Sequence, residues 1–126
     1  MGAPENNTGL KRIYNAFFFS VHGFKACFRT EEAFRQEILL SLIMIPLGFY
    51  LGPTLPEQLL LVGSVLLVLI IELLNTGIER AIDRISFEKH DLSKEAKDMG
   101  SAAVLLSLIF CSITWAMILG QAYLPL

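Results

Sequence analysis

Cysteine and histidine are scarce in this chain, which has two cysteines, Cys27 and Cys111, and two histidines, His22 and His90. None has a neighbour at zinc-ligand spacing, so a structural zinc site is not expected. The cysteines fall in different predicted helices, which argues against a disulfide. Charge is also scarce, at 17% of residues, and a net charge of −2 offers no basic surface to nucleic acid. Neither a GxxxxGK[ST] loop nor a Gly-rich kinase loop with its partner motifs is present, so nucleotide chemistry here needs a different scaffold. The first apolar run follows a charged, amphipathic stretch, and the sequence reads as having no cleavable leader.

Apolar sequence is what the chain has in quantity, at 54% hydrophobic residues. Met99 to Leu126 carries no charged side chain, and that run exceeds the roughly 20 residues needed to cross a bilayer. A second run, Leu59 to Ile78, is interrupted chiefly by Glu72, Asn75 and Thr76. A third, Ile38 to Leu51, is shorter and contains Pro46; it reaches spanning length only if its helix begins near Glu31. The pattern predicts a single-domain, all-α membrane protein. Its elements are an N-terminal amphipathic surface helix over about 8–29 and spans over about 31–52, 57–86 and 98–122.

The ten basic residues are divided between two places. Lys11, Arg12, Lys25, Arg29 and Arg35 precede or open the first predicted span, and Arg80, Arg84, Lys89, Lys94 and Lys97 lie between the second and third. The turn at 52–58 has none, and neither has the tail. The positive-inside rule then predicts a cytoplasmic N-terminus, a cytoplasmic loop from about Arg80 to Lys97, and an external C-terminus. Ahead of the first span, Leu10, Ile13, Tyr14, Phe17, Phe18, Val21, Phe24 and Phe28 share one helical face. Lys11, Arg12, Asn15, His22, Lys25 and Arg29 occupy much of the rest. Such a helix lies in the membrane interface and is drawn to anionic lipid, either as a plain anchor or as a wall of a lipid-entry site.

The second span carries the chemistry. Glu72, Asn75, Glu79 and Asp83 recur at i, i+3, i+7 and i+11, which places them in one narrow stripe. Glu72 lies roughly 10 Å deeper than Glu79. A carboxylate at the centre of a span costs about 2.5–3.5 kcal/mol on insertion scales and marks a functional site by default. For Asp83, nearer the interface, a helix-packing role has equal standing. Glu31 and Glu32 open the first span at the level of Glu79, and Lys97 and Asp98 stand just before the third, near a helix N-terminus expected there. Carboxylates at one depth suit Mg²⁺ completed by phosphate oxygens, and Lys97 and Arg12 suit phosphate charge.

The run Glu72-Leu73-Leu74-Asn75-Thr76-Gly77-Ile78-Glu79, then Asp83-Arg84 and Lys97-Asp98-Met99-Gly100-Ser101-Ala102-Ala103-Val104, resembles the prokaryotic diacylglycerol kinase family. Glu31-Glu32-Ala33-Phe34-Arg35-Gln36-Glu37 resembles the start of that family's first span, and the likeness runs from Thr8 to about Leu119. The resemblance implies a homotrimer in the bacterial inner membrane that transfers the γ-phosphoryl group of ATP to diacylglycerol, with Mg²⁺ as cofactor. ATP, diacylglycerol and membrane lipid are its implied partners, and nucleic acid is not. By that similarity Glu72 is the general base, and Glu31 and Glu79 hold Mg²⁺ and face the nucleotide. Arg12, Phe19, Glu88, Lys89, His90, Lys97 and Asp98 match positions around ATP. Asn75 and Asp83 orient the site. Arg12, Phe17, Lys25, Phe34, Arg35, Glu72, Ser101 and Trp115 match positions that contact the lipid.

Phe19 stands where the family commonly has tyrosine, Val21-His22 where it has Trp and Lys, and Thr76-Gly77 where it has Ser-Ala. None of these departures removes a proposed catalytic group. Three alternatives stay open on sequence alone: an undecaprenol kinase using the same carboxylates, a proton-coupled transporter, and a non-enzymatic membrane protein. Inverted repeats, expected of the transporter, are not visible.

Overall fold

The computed structural model describes residues 8–85 and 90–125. These form four α-helices: α1 (Gly9–Thr30), α2 (Glu32–Leu51), α3 (Leu55–Ile85) and α4 (Asp91–Tyr123). The last three are each long and apolar enough to cross a membrane. At 1.5 Å per residue α3 and α4 reach about 46 and 50 Å, so both project beyond a hydrocarbon core of about 30 Å.

That projection corrects one expectation. The third membrane-crossing helix starts at Asp91, not near 98, so Lys97 and Asp98 lie well inside α4 and away from its N-terminus. The preceding turns are stable as helix for local reasons. The Leu92 N–H donates to Nδ1 of His90 at 3.1 Å, Asp91 stands in the first turn, and Lys94 pairs with Asp98 at 2.7 Å one turn on.

Between α1 and α2 the chain bends at Glu31, whose backbone is extended (φ −114°, ψ 112°). The bend leaves the last carbonyls of α1 without helical partners. Arg35 reaches back from the first turn of α2 and donates to the carbonyls of Phe28 and Arg29 at 2.9 and 3.0 Å. At the opposite end of α2, Gly52 is buried against α3, and a Cβ there would come within 2.8 Å of the Gln58 backbone. Thr54 Oγ1 and Glu57 Oε1 meet at 2.7 Å, and Gln58 Nε2 donates to the Gly52 carbonyl at 3.1 Å. Pro56 falls in the first turn of α3, where its missing N–H costs nothing. α2 runs through Pro46 as helix, which leaves the Leu42 carbonyl without its usual partner.

The central element is α3, packed against α2 on one side and α4 on the other. Leu61, Val62, Val65, Val68 and Leu69 bury the contact. Lipid gives helices no hydrophobic reason to associate, so close approach and hydrogen bonds hold them together. Gly48 lets α2 pack directly on Leu61 and Val62. From α4, Trp115 Nε1 donates to the Leu61 carbonyl at 3.0 Å, and Tyr123 donates to the Leu51 carbonyl at 2.7 Å. At the other end Cys27, Phe34 and Leu69 form a small core joined by Ile38 and Leu73, which seats the end of α1 on the span bundle. The rest of the apolar face of α1, including Leu10, Ile13, Tyr14 and Phe17, is exposed, as a helix lying in the interface requires.

Candidate active site

The predicted stripe on α3 turns inward. Glu72 and Asn75 are buried and Glu79 and Asp83 half-buried. The approach of α4 is what encloses them. Gly100 packs directly against the Asn75 amide, and a methyl group at Gly100 would occupy the space of Asn75 Oδ1. Asn75 Nδ2 in turn donates to Glu79 Oε1 at 3.1 Å. One turn further, Lys97 Nζ meets Asp83 Oδ1 at 2.7 Å across the two helices.

Glu72 Oε2 and Asn75 Oδ1 are buried without a hydrogen-bond partner among the described residues, as is Oε1 of Glu37 on α2. Buried polar atoms are normally satisfied, so three orphans close together mark a place prepared for something else. Glu31 and Glu79 both lie within electrostatic reach of Glu72, and Glu72 acts in turn on Glu37. Four carboxylates from the elbow, α2 and α3 therefore share one region of the structure. Among the described residues no three His, Cys, Asp or Glu side chains close into a metal cage. The oxygen-only donors Glu31 and Glu79, beside two orphaned oxygens, fit a hard cation that takes few protein ligands and completes its shell with phosphate.

Two clefts flank this region. One, of about 410 Å³, runs between α1 and α3 and is lined by Phe24, Cys27, Leu73, Thr76 and Arg80 among others. The other, of about 460 Å³, is formed by Phe24, Lys25, Phe28, Arg29, Phe34 and Ile38.

The remaining candidates are scattered. Arg12 and Phe19 are exposed on α1, about 28 and 18 Å along its axis from Glu31. Phe17 is exposed on the same helix. Phe34 is 1% exposed and serves as a packing residue at the wall of the second cleft, while Lys25 opens onto that cleft. Arg35 is engaged in capping α1, His90 in capping α4, and Asp98 with Lys94. Ser101 is exposed on α4. Trp115 packs beside Leu61, about 16 Å along α3 from Glu72, and so stands apart from the carboxylates. Glu88 and Lys89 lie outside the described residues. Sequence reasoning passed over Thr30, Thr76 and Arg80, whose partners are distant in the chain and leave no periodic signal.

Fold and site together define a small, all-helical, multi-span membrane protein whose polar groups gather as carboxylates at one end of the bundle. Residues 18–119 match the family described as prokaryotic diacylglycerol kinase. The chain is 51% identical over 115 residues to a diacylglycerol kinase of Pseudomonas aeruginosa, covering 91% of this chain and 94% of that protein. With a diacylglycerol kinase of Haemophilus influenzae it shares 47% identity over 89% of this chain and 95% of the relative. With one of Escherichia coli K12 it shares 45% over 94% and 97%. The chain belongs to the prokaryotic diacylglycerol kinase family.

Proposed function

We propose that this protein phosphorylates diacylglycerol at the membrane surface with ATP, yielding phosphatidic acid and ADP, and that Glu72 is the base. The observation that carries the assignment of the site is Glu72 itself. It is a buried carboxylate on a spanning helix, with one oxygen unpartnered and with Glu31 and Glu79 around it. Its position lets it take the proton of a lipid hydroxyl that approaches from the apolar side. The hydroxyl oxygen then bonds to the γ-phosphorus, the bond to the β,γ-bridging oxygen breaks, and ADP leaves. Such a transfer depends on positioning and charge more than on covalent chemistry, so a few well-held groups suffice.

Glu31 and Glu79 would hold Mg²⁺, which when bound neutralises phosphate charge. Asn75 fixes Glu79 by its hydrogen bond, and Gly100 makes room for Asn75. Lys97 is held at the level of Asp83 and supplies positive charge for the nucleotide, with Arg12, Phe19, His90 and Asp98 as further contacts. The cleft bearing Lys25 and Phe34, open beside Phe24 and Phe28, suits an acyl chain whose glycerol end points toward Glu72. The distribution of basic residues supports an N-terminus in the cytoplasm, which brings the carboxylates to the ATP-bearing side.

A homotrimer is part of this reading, for two reasons. Arg12 lies about 28 Å along α1 from Glu31, too far for the helix itself to bring it to that carboxylate of its own chain. In addition, Leu60, Gly63, Leu67, Ile70, Leu74 and Gly77 are exposed on α3 at alternating spacings of three and four, the seam of a helix that packs against copies of itself.

The test is phosphorylation of diacylglycerol by purified protein in lipid–detergent micelles, with and without Mg²⁺, beside Glu72→Gln. Magnesium-dependent phosphatidic acid formation, reduced at least about 100-fold in the variant, is expected. Product from undecaprenol but not diacylglycerol would overturn the substrate and keep the site. A folded Glu72→Gln protein with full activity would remove Glu72 as the base.

A further inference from the structure

The contact between α1 and α3 is small, yet two side-chain pairs secure it one turn apart. Cys27, 3% exposed, brings its sulfur to 3.6 Å from Thr76 Oγ1. One turn later on both helices, Arg80 donates to Thr30 Oγ1. The Thr30 hydroxyl is already committed as a donor, to the Ala26 carbonyl at 2.7 Å, so its lone pairs are what it presents to the guanidinium. The hydroxyl therefore has one consistent orientation, with the proton inward to its own helix and the acceptor side toward α3.

The chain neighbours of this pair are Glu31, which follows Thr30 at the elbow, and Glu79, which precedes Arg80. On the other side of the elbow, Arg35 ties down the α1 carbonyls of Phe28 and Arg29. Glu31 thus stands in a bend fixed from both sides, and the Thr30–Arg80 pair is the side-chain tie to α3 that lies nearest to it in the chain. Arg80 adjoins the cleft between α1 and α3 and is exposed, so the pair can open without unfolding the core.

We propose that Thr30 and Arg80 form a latch that sets the separation of the Glu31 and Glu79 carboxylates, and so the affinity of the site for its divalent cation. The two are positioning residues; neither touches the reacting atoms. The inference rests on the reading of Glu31 and Glu79 as the cation ligands.

Cys27 is a built-in reporter of the latch, because it is covered only while α1 is seated. In a Cys111→Ala background, Thr30→Val and Arg80→Leu are each expected to speed maleimide labelling of Cys27 by about ten-fold, as local opening would. Each should also weaken Mn²⁺ binding, read by paramagnetic resonance on purified protein, by about five-fold, with the double variant no worse than either single. Thr30→Ser and Arg80→Lys, which keep a donor facing a hydroxyl, should restore both values. Thr30→Val is nearly isosteric and preserves the test if Arg80→Leu misfolds. Unchanged Cys27 labelling, or faster labelling with unchanged Mn²⁺ affinity, would overturn the latch. Weaker ATP binding with Cys27 still protected would instead make Arg80 a phosphate contact, and would overturn it too. Glu31→Gln and Glu79→Gln separate the two readings: they should abolish Mn²⁺ binding while Cys27 stays protected. Retained Mn²⁺ binding in those variants would refute the ligand assignment itself, whatever Cys27 does.

Discussion

Cys27 shows how a single side chain reports on its surroundings. It faces the α1–α3 contact, and burial pushes its thiol up from the ordinary range. Its hydrogen bond to Thr76 opposes the shift, Glu31 and Glu72 add to it, and Arg80 offsets part of it. For an acid whose folded pKa exceeds its unfolded value, the folded state retains the proton longer. The resulting stability is complete below the unfolded thiol pKa of about 8.5 and is lost as pH rises through the folded value. Unfolding midpoints in detergent should therefore fall more steeply between pH 8 and 10 for the parent protein than for Cys27→Ala. Parallel curves would mean that Cys27 is not desolvated in solution. Asp83 matters for its position instead: its pair with Lys97 is 40% exposed on both sides, and such pairs stabilise by about 1 kcal/mol or less. Its value lies in holding Lys97 at a defined height on α4.

Among the helices, the closest approach in the site is that of α4 to α3 at Gly100. Gly100→Ala places a methyl group where Asn75 Oδ1 stands, so either the amide rotates or α4 moves outward. Rotation breaks the hydrogen bond that holds Glu79. Overpacking of this kind costs about 1–3 kcal/mol, and loss of Glu79 orientation should lower kcat by about 100-fold, since displacements near 1 Å carry that penalty. Steady-state kinetics beside an unfolding curve would check both. A stable Gly100→Ala protein of unchanged kcat would show that Asn75 does not orient the site. The stripe itself was legible from sequence, because four polar residues at helical spacing in an apolar run have one geometric meaning. The start of α4 was not legible in the same way. Hydropathy marks where a segment enters lipid, whereas Asp91 to Asp98 is helix held by a cap and an ion pair, signals that act outside the bilayer. Trp115 and Phe34 had roles that depend on which neighbours surround them, and the fold supplied those: a carbonyl of α3 for one and a three-residue core for the other.

Taken as one chain, the molecule gathers Glu31, Glu72 and Glu79 but leaves Arg12 at the far end of α1. In a closed ring of three, the same interface repeats, and the exposed stretch of one chain's α1 is presented to a neighbour's carboxylates. Each site would then need α1 from one chain and the stripe from the next. That dependence can be tested by combining two damaged chains. Arg12→Ala spoils the α1 contribution and Glu72→Gln spoils the stripe, and each alone should be strongly impaired. In trimers assembled at random from equal amounts of both, a site is intact when an Arg12→Ala chain supplies its carboxylates and a Glu72→Gln chain supplies its α1. That pairing occurs at roughly one site in four, so co-refolded mixtures should recover about a quarter of the parent rate. Mixing the two after separate refolding should recover nothing, because the chains have already associated. If co-refolded mixtures stay as inactive as the separate variants, each chain builds its own site, and α1 must bend back to bring Arg12 to the carboxylates it precedes in sequence.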